Sequence, residues 1–186
     1  RLSSRRDPTL TPLGEPDTKG TAAMTTYSIR SADQADGKFL GDMVVEAVNW
    51  RRGAARPRVE VLAEPEHSRY VTGWMRPSDA GFVAVDEQDA PIGAAWYRLL
   101  PADVTGFNHV GTNVPELVIG VRPIWRAHGV GRALLHRLSD HARQAGYARI
   151  SLNVEHDNFA ASLYKSEGFA ITRAGHGRDI MVKRLR

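Results

Sequence analysis

One short segment of the sequence has the residue types of an anion-binding site. Arg126, Gly129 and Gly131 follow an almost wholly apolar strand pattern at 117–121 and open an amphipathic helix pattern. Glycines let a ligand approach the backbone N–H groups closely, because no Cβ stands in the way. The first turn of a helix leaves N–H groups without internal partners, and the helix dipole adds partial positive charge. With Arg126 and Arg132 beside it, this helix start is predicted to bind a pyrophosphate.

Three phosphate-binding patterns compete for this segment. A P-loop requires Lys and then Ser or Thr after its second glycine, whereas Arg132 and an alanine stand there. A dinucleotide fingerprint requires a third glycine at the position that Leu134 occupies. The remaining pattern is Arg/Gln-x-x-Gly-x-Gly/Ala, and it is met by Arg126, Gly129 and Gly131.

A second segment with chemically useful residues runs Asn-Phe-Ala-Ala-Ser-Leu-Tyr-Lys-Ser-Glu-Gly-Phe from 158 to 169. Asn158 can cap a helix and still present its amide to a ligand. Ala161 and Tyr164 lie three and six residues further on, so they are expected near one helix face. Gly168 is well placed to end that helix.

Together, the two segments resemble the GNAT superfamily of acyl-CoA-dependent N-acyltransferases. The resemblance covers roughly 25–185 and is strongest over 115–170. It implies an α/β (α+β) fold with a mixed, mostly antiparallel central sheet. The family pattern has about six to seven strands, about four flanking helices and a splayed central pair of parallel strands.

The resemblance implies an N-acetyltransferase that moves an acetyl group from acetyl-CoA, its co-substrate, to a primary amine in a ternary complex. No metal is implied. The cofactor arm would lie between the strands at 117–121 and 148–154, and a backbone N–H there would polarise the thioester carbonyl. The implied cofactor-binding residues are Ile119, Val121, Arg126, His128, Gly129, Val130, Gly131, Arg132, Asn158 and Ala161.

The resemblance also suggests which residues move protons. Tyr164 corresponds to the residue that protonates the departing thiolate. The ammonium form of the acceptor must lose a proton before it attacks, and Glu116 is the best candidate for that base. Glu155 and His109 remain alternatives. A rival hypothesis is a non-catalytic acyl-CoA-binding sensor, which would keep the glycine loop without needing Tyr164 or Glu116.

The acceptor itself is not readable from the sequence, and both a small-molecule amine and a protein or peptide amine stay open, as does a homodimer. Its pocket is expected from aromatic and basic residues near the first two helices, the third strand and the final hairpin. These residues are Trp50, Arg51, Arg52, Trp74, Trp96, Tyr97 and His176.

Hydrophobic periodicity predicts the elements that must position these residues. Asp33 is expected to cap the first helix. Strands are predicted at 26–30, 81–85, 91–99, 117–121, 148–154, 168–173 and 179–185, and helices at 39–50, 65–74, 128–145 and 158–167.

Composition narrows the class of protein further. The 186 residues carry a net charge of +4 and no cysteine, which excludes disulfides and thiolate metal sites. Six arginines against the single acid Asp140 give the segment 117–149 a charge of +5, and the remainder a charge of −1. The positive charge therefore points to a cofactor phosphate rather than to nucleic acid.

The remaining composition argues for a single domain outside the membrane. No apolar run approaches the roughly 18 residues of a membrane helix, and the cytoplasm is the expected compartment. Residues 1–23 are rich in proline and glycine and are expected to be a disordered or non-native extension. Residues 24–186 are expected to form the N-acetyltransferase domain.

Overall fold

The computed structural model describes residues 26–186, so the extension predicted at 1–23 lies outside the described residues. Seven strands in this range form one sheet in the order β1-β2-β3-β4-β5-β7-β6. The strands are β1 (Tyr27–Ser31), β2 (Ala80–Asp86), β3 (Pro91–Arg98), β4 (Glu116–Val121), β5 (Arg149–Glu155), β6 (Ala170–Ala174) and β7 (Arg178–Arg184).

Six α-helices occur in the same range, and the two longest cover opposite faces of the sheet. The helices are α1 (Gly37–Val48), α2 (Arg58–Ala63), α3 (Pro65–Ser68), α4 (Ala102–Thr105), α5 (Val130–Gln144) and α6 (Ala160–Ser166). Asp33 accepts from the Ala35 N–H and starts a short turn of 3-10 helix before α1, as its sequence position predicted. Gly146, with φ of +99°, follows the end of α5 and allows the left-handed turn there.

The predicted mixed, mostly antiparallel sheet is confirmed, and its single parallel pair is splayed. β3 pairs with β4 over six positions and β5 with β7 over seven, all antiparallel. The parallel neighbours β4 and β5 share one register position only, Glu116 opposite Ser151. The Ser151 N–H donates to the Pro115 carbonyl at 2.9 Å, and beyond this contact the two strands separate. A V-shaped gap therefore opens toward their C-terminal ends.

Two layers of apolar side chains cover the two faces of the sheet. α5 packs its buried leucines against one face, and α1 packs Leu40 and Met43 against the other. β3 is covered on both faces, so its adjacent residues Trp96 and Tyr97 are both fully buried, on opposite sides. The core thus lies directly above and below the central strands that form the gap.

The helix predicted over 65–74 is wrong in its extent. The chain forms α2 before this range, and α3 stops at Ser68. Glu64 lies between them in an extended conformation, with ψ of 122°, and the following Pro65 disfavours a helical conformation there. The helix predicted from 128 begins at Val130, because Gly129 is left-handed with φ of +81°. The short α4 was not predicted.

A buried ion pair fixes the segment between α3 and β2. Arg98 on β3 donates to both carboxylate oxygens of Asp79 at 3.0 Å, and both side chains are almost completely buried. Arg98 also donates to the carbonyl oxygens of Arg69, Thr72 and Gly73 at 2.9, 2.8 and 3.3 Å. One side chain thereby holds the conformation of the chain from 69 to 73.

Gly120 sets how closely α1 approaches β4. A Cβ at this position would lie 2.6 Å from the Met43 carbonyl oxygen and 2.9 Å from the Met43 Cβ. The close contact involves helix backbone, which cannot rotate away as a side chain would. Only glycine lets α1 cover the gap at this distance.

Replacing Gly120 by Ala is expected to lower the free energy of unfolding by about 1 to 3 kcal/mol, because the added methyl group overpacks the α1 interface. Urea denaturation followed by circular dichroism measures the loss. Gly131→Ala is the matched control, since a Cβ there would meet its nearest neighbours at 3.6 to 3.8 Å. Equal stability losses for the two variants would contradict this account of Gly120.

Candidate active site

The gap between β4 and β5 is the floor of a cleft of about 720 Å³, part of it open to solvent. Strand residues such as Ile119 and Val154 form its walls, and the end of α1 lies over it. Seven polar residues, from α3, β5, β7 and the segments next to them, also line the cleft. They are Glu66, His67, Tyr70, Asn153, Glu155, Asn158 and Arg178.

The backbone of β4 presents unpaired donors to this gap. The Arg122 N–H donates to the Ile92 carbonyl at 2.8 Å, so it points toward β3. Successive N–H groups of a strand alternate in direction, which turns those of Ile119 and Val121 the other way, toward β5. The two strands no longer pair at this level. The gap therefore lies beside N–H groups that can bind an extended polar ligand.

The start of α5 stands at the open end of the gap. Gly129 is its N-terminal flanking residue and makes no side-chain cap, while Ala127 also has a positive φ of +61°. The first helical bond runs from the Ala133 N–H to the Gly129 carbonyl at 3.0 Å. The N–H groups of Val130, Gly131 and Arg132 come before this first donor, so the helix itself offers them no carbonyl acceptor. These N–H groups and the helix dipole present partial positive charge, which favours the binding of an anion.

Of the two arginines predicted beside this helix start, Arg126 lies closer to the gap. Its guanidinium forms an ion pair with Glu46 of α1 at 3.3 Å and lies over the Phe159 ring at 5.8 Å. Arg126 therefore connects the loop to both α1 and the segment before α6. His128 Nδ1 contacts the Arg126 carbonyl at 2.7 Å, which constrains the loop.

Arg132 points away from the loop in this structure. Its guanidinium contacts Glu167 and the Ser166 hydroxyl at the end of α6, and His136 contacts the other oxygen of Glu167. The side chain of Arg132 thus ties α5 to α6. Its backbone N–H remains part of the helix start.

The second predicted segment lies on the opposite wall of the gap. Asn158 accepts from the Ala160 N–H at 2.9 Å through Oδ1, which leaves its amide N–H groups available to a ligand. Tyr164, on α6, lines the cleft and is 8% exposed, and its ring packs edge-on against Phe169. Burial raises the pKa of the Tyr164 phenol above its ordinary 10.0, so the phenol is protonated at neutral pH.

Glu116 lies at the closed end of the gap, where β4 and β5 still pair, and it is 4% exposed. Its Oε1 accepts from the Tyr70 hydroxyl at 2.6 Å and from the amides of Asn153 and Asn108 at 2.8 and 3.4 Å. Its Oε2 is buried and has no partner within the described residues. Burial raises the pKa of Glu116 above 4.5, although the Tyr70 hydrogen bond opposes the shift.

The two alternative bases differ in position. Glu155 lines the cleft and accepts from the Trp50 indole N–H at 2.9 Å. His109 is not among the cleft-lining residues, and its carbonyl accepts from Arg173 of β6. Of the three candidate bases, Glu155 lines the cleft, and Glu116 accepts hydrogen bonds from the lining residues Tyr70 and Asn153.

The predicted acceptor pocket is wrong for three of its seven residues, the buried aromatics Trp74, Trp96 and Tyr97. Trp50 lines the cleft, and Arg51 stacks on its ring at 4.7 Å. The indole of Trp74 donates to the Asp33 carbonyl and that of Trp96 to the Tyr70 carbonyl, so both are core residues. Arg52, Tyr97 and His176 also lie outside the cleft lining.

Sequence reasoning missed the polar group around Glu116. We define the Glu116 cluster as Glu116, Tyr70, Asn153, Asn108 and Arg69, whose Nη2 donates to the Tyr70 hydroxyl at 3.0 Å. These residues come from four separate parts of the chain. The one local signal was Asn153, a polar residue between the apolar Leu152 and Val154 of β5.

The histidines do not combine into a metal centre. His136 contacts Glu167, whereas His141 Nδ1 contacts the Tyr97 hydroxyl at 2.9 Å. Within residues 26–186 the side chains that lie close enough to share an ion are Glu64, Glu66 and His67, and Glu64 is already paired with Arg56. Over the same range, no helix combines the length and apolar character that crossing a membrane requires.

The chain is an α/β protein with a splayed parallel strand pair beside a helix start that has no side-chain cap. The model of the Acetyltransferase (GNAT) family matches residues 38–169, which include all of β4, α5 and α6 and all but the first residue of α1. The chain therefore belongs to the GNAT family, as the two sequence segments indicated.

Curated relatives share part of this sequence. The mycothiol acetyltransferase of Nocardiopsis dassonvillei is 38% identical over 105 residues, which are 55% of this chain and 31% of that protein. The mycothiol acetyltransferase of Segniliparus rotundus is 33% identical over 135 residues, 72% of this chain and 46% of that protein. The chain thus spans less than half the length of these relatives.

Solved structures share the fold at lower identity. A GNAT-family acetyltransferase from Staphylococcus aureus Mu50 matches with a TM-score of 0.63 and 13% identity, over 87% of this chain and 100% of that chain. YncA from Salmonella typhimurium, solved with acetyl-CoA, matches with a TM-score of 0.58 and 24% identity, over 86% and 94%. These similarities establish the fold.

Proposed function

We propose that the protein is an N-acetyltransferase that transfers the acetyl group of acetyl-CoA directly to a primary amine in a ternary complex. The observation that carries the proposal is the gap between β4 and β5. Inward-facing N–H groups line one side of the gap, and it leads to the open start of α5. An extended ligand with a pyrophosphate at one end fits these donors.

The residues present fit acetyl-CoA. The N–H groups of Val130, Gly131 and Arg132 would bind its phosphates, and a Cβ-free Gly129 has open space in front of it. The N–H groups of Ile119 and Val121 would bind the pantetheine arm. Bound acetyl-CoA supplies the activated acetyl group, and one β4 N–H would stabilise the oxyanion as the carbonyl is attacked.

Two side chains would transfer the protons of the reaction, one as a general base and one as a general acid. Glu116 would accept the proton that the ammonium loses before attack, and its raised pKa increases its affinity for that proton. Tyr164 would donate its phenolic proton to the departing thiolate. The proximity of amine and thioester in the cleft would supply a large part of the rate.

The polar residues of the cleft would hold the acceptor amine. Glu66 and Glu155 contribute negative charge there, which suits an ammonium ion, and Trp50 contributes an aromatic surface. The curated relatives are named mycothiol acetyltransferases, which favours a small-molecule acceptor over a peptide. A peptide amine remains the second class to be tested.

Thiol release from acetyl-CoA, measured with a polyamine, an N-terminal peptide and an aminoglycoside, tests the proposal. Acetyl transfer to at least one amine, identified by mass spectrometry, is the expected result. CoA binding measured by calorimetry without release from any of the amines would instead indicate an acyl-CoA-binding sensor.

Replacing Arg126 by Ala is expected to weaken CoA binding about tenfold to hundredfold, because hydrogen bonds to charged groups contribute about 1.5 to 3 kcal/mol. Glu46→Gln is expected to tighten binding severalfold, since it releases Arg126 from its ion pair. Calorimetry with CoA measures both effects.

Arg143→Ala is the matched control, because it removes the same charge from the other end of α5, where Arg143 pairs with Asp140. Its affinity for CoA should stay within twofold of the parent protein. Equal weakening by Arg126→Ala and Arg143→Ala would show that net charge alone, rather than the loop, attracts the phosphates.

A further inference from the structure

Glu116 is separated from the cleft by two of its own hydrogen-bond partners. Tyr70 and Asn153 line the cleft, whereas Glu116 does not. The carboxylate is 4% exposed and its Oε2 is enclosed, so an amine in the cleft has no direct path to it. A base in this position needs an intermediate group to receive its proton.

The Tyr70 hydroxyl is in the right place to be that group. It donates to Glu116 Oε1 at 2.6 Å, the shortest of the three hydrogen bonds to this oxygen. The Arg98 contacts to the carbonyl groups of Arg69 and Thr72 fix the backbone on both sides of Tyr70. The Tyr70 side chain therefore lines the cleft while its hydroxyl is already hydrogen-bonded to the Glu116 carboxylate.

We propose that Tyr70 relays the proton of the acceptor ammonium from the cleft to Glu116. The proposal rests on the acetyltransferase function proposed above. The ammonium N–H bond breaks and its proton bonds to the Tyr70 oxygen, while the Tyr70 O–H bond breaks and that proton bonds to Glu116 Oε1. Tyr70 is neutral before and after, Glu116 becomes a neutral acid, and the free amine keeps the electron pair that attacks.

The other members of the Glu116 cluster permit this transfer. The Tyr70 oxygen accepts from Arg69 Nη2 and from Asn153 Nδ2, both at 3.0 Å. Asn153 Nδ2 also donates to Glu116 Oε1 at the shorter distance of 2.8 Å. The Asn153 contact with Tyr70 is thus the one that an incoming ammonium replaces, and Asn153 keeps its contact with Glu116.

The charged groups around Glu116 give the relay a pH dependence that can be tested. Arg69 and Arg178 favour the carboxylate, and so do the hydrogen bonds from Tyr70 and Asn153, whereas burial opposes it. The relay requires ionised Glu116, so activity rises with pH through the pKa of Glu116. Removing the Tyr70 hydroxyl raises that pKa and moves this acidic limb to higher pH.

Tyr70→Phe is expected to lower the plateau kcat about 10²-fold, as loss of general base catalysis does. Glu116→Gln should cost a similar factor. The double variant should be no worse than either single variant, because both lie on one proton path. The assay is thiol release with acetyl-CoA and the best amine among the polyamine, peptide and aminoglycoside, and CoA affinity by calorimetry checks the fold.

Tyr147→Phe is the matched control, since it removes a hydroxyl from a tyrosine that packs on Tyr97 away from the cleft. A plateau kcat retained by Tyr70→Phe, with only the acidic limb displaced, would overturn the relay and leave Tyr70 a positioning residue. Independent losses that multiply in the double variant would overturn it too. No transfer by the parent protein to any amine would count against the proposed function instead.

A second measurement uses the unaltered protein and applies if Tyr70→Phe loses CoA binding. Two protons move together in the relay, so the rate in mixtures of H2O and D2O should follow a bowed curve. A straight plot, sloped or flat, overturns the relay.

Discussion

Replacing Tyr164 by Phe is expected to lower kcat about 10² to 10³-fold, because the departing thiolate loses its proton donor. The substitution keeps the ring that packs against Phe169, so stability and CoA affinity should change little. Thiol release under saturating acetyl-CoA, together with calorimetry of CoA binding, separates the loss of catalysis from any loss of binding.

The dependence of kcat on pH is a second test of the role of Tyr164. An acid must be protonated to act, so its contribution is lost as pH rises through its pKa, and burial places the pKa of Tyr164 above 10.0. The alkaline limb should therefore lie above pH 10 in the parent protein. Tyr27→Phe, on the edge strand β1, is the matched control and should keep the parent kcat. Unchanged thiol release by Tyr164→Phe would remove Tyr164 from the mechanism.

Replacing Asp79 by Ala is expected to lower the free energy of unfolding by about 3 to 5 kcal/mol, because it leaves the Arg98 charge buried without its partner. Burial of both side chains makes this pair different from surface ion pairs. Urea denaturation measures the loss. Asp140→Ala is the matched control, since it breaks an ion pair whose side chains are 54% and 57% exposed, and it should cost less than about 1 kcal/mol.

The double variant Asp79→Leu with Arg98→Met separates charge from packing. Replacing both partners by apolar residues of similar volume leaves no unpaired charge, so much of the lost stability should return. The three carbonyl groups that Arg98 binds would still lose their donor. The double variant is therefore expected to stay below the parent stability. A stability below that of Asp79→Ala would contradict this reasoning.

The sequence predicted best where function is local. The glycine loop and the helix after it lie within 126–144, and their presence follows from short-range rules such as glycine freedom and helix periodicity. The splayed strand pair came with the family resemblance, and the single register position between β4 and β5 confirms it. The exact start of α5 did not follow, because it depends on the φ of Gly129.

The Glu116 cluster shows what sequence spacing could not supply. Tyr70 and Glu116 are 46 residues apart, and Asn153 and Glu116 are 37 apart. Their contact depends on how α3 packs beside the strand pair and on the Arg98 bonds that fix the segment between them. Hydrophobic periodicity within a helix or strand does not predict contacts between side chains of separate elements.

The aromatic residues were misplaced for a different reason. Trp96 and Tyr97 were expected at the acceptor pocket as part of a set of aromatic and basic residues, although a tryptophan in a small domain is more often a core residue. β3 is a central strand with helices over both faces, so both of these neighbours became core residues. Trp50 differs because it follows the end of α1, beside the cleft.

The single register position shared by β4 and β5 divides the sheet, in mechanical terms, into two half-sheets with a hinge between them. β1–β4 form one half and β5–β7 the other, and α5 packs across strands of both. A ligand in the gap would act as the strand that the sheet lacks, so its binding energy would also resist separation of the halves. At a hundred times its Kd, such a ligand adds about 2.7 kcal/mol to stability. The rigidity of the protein would then increase with the concentration of its co-substrate.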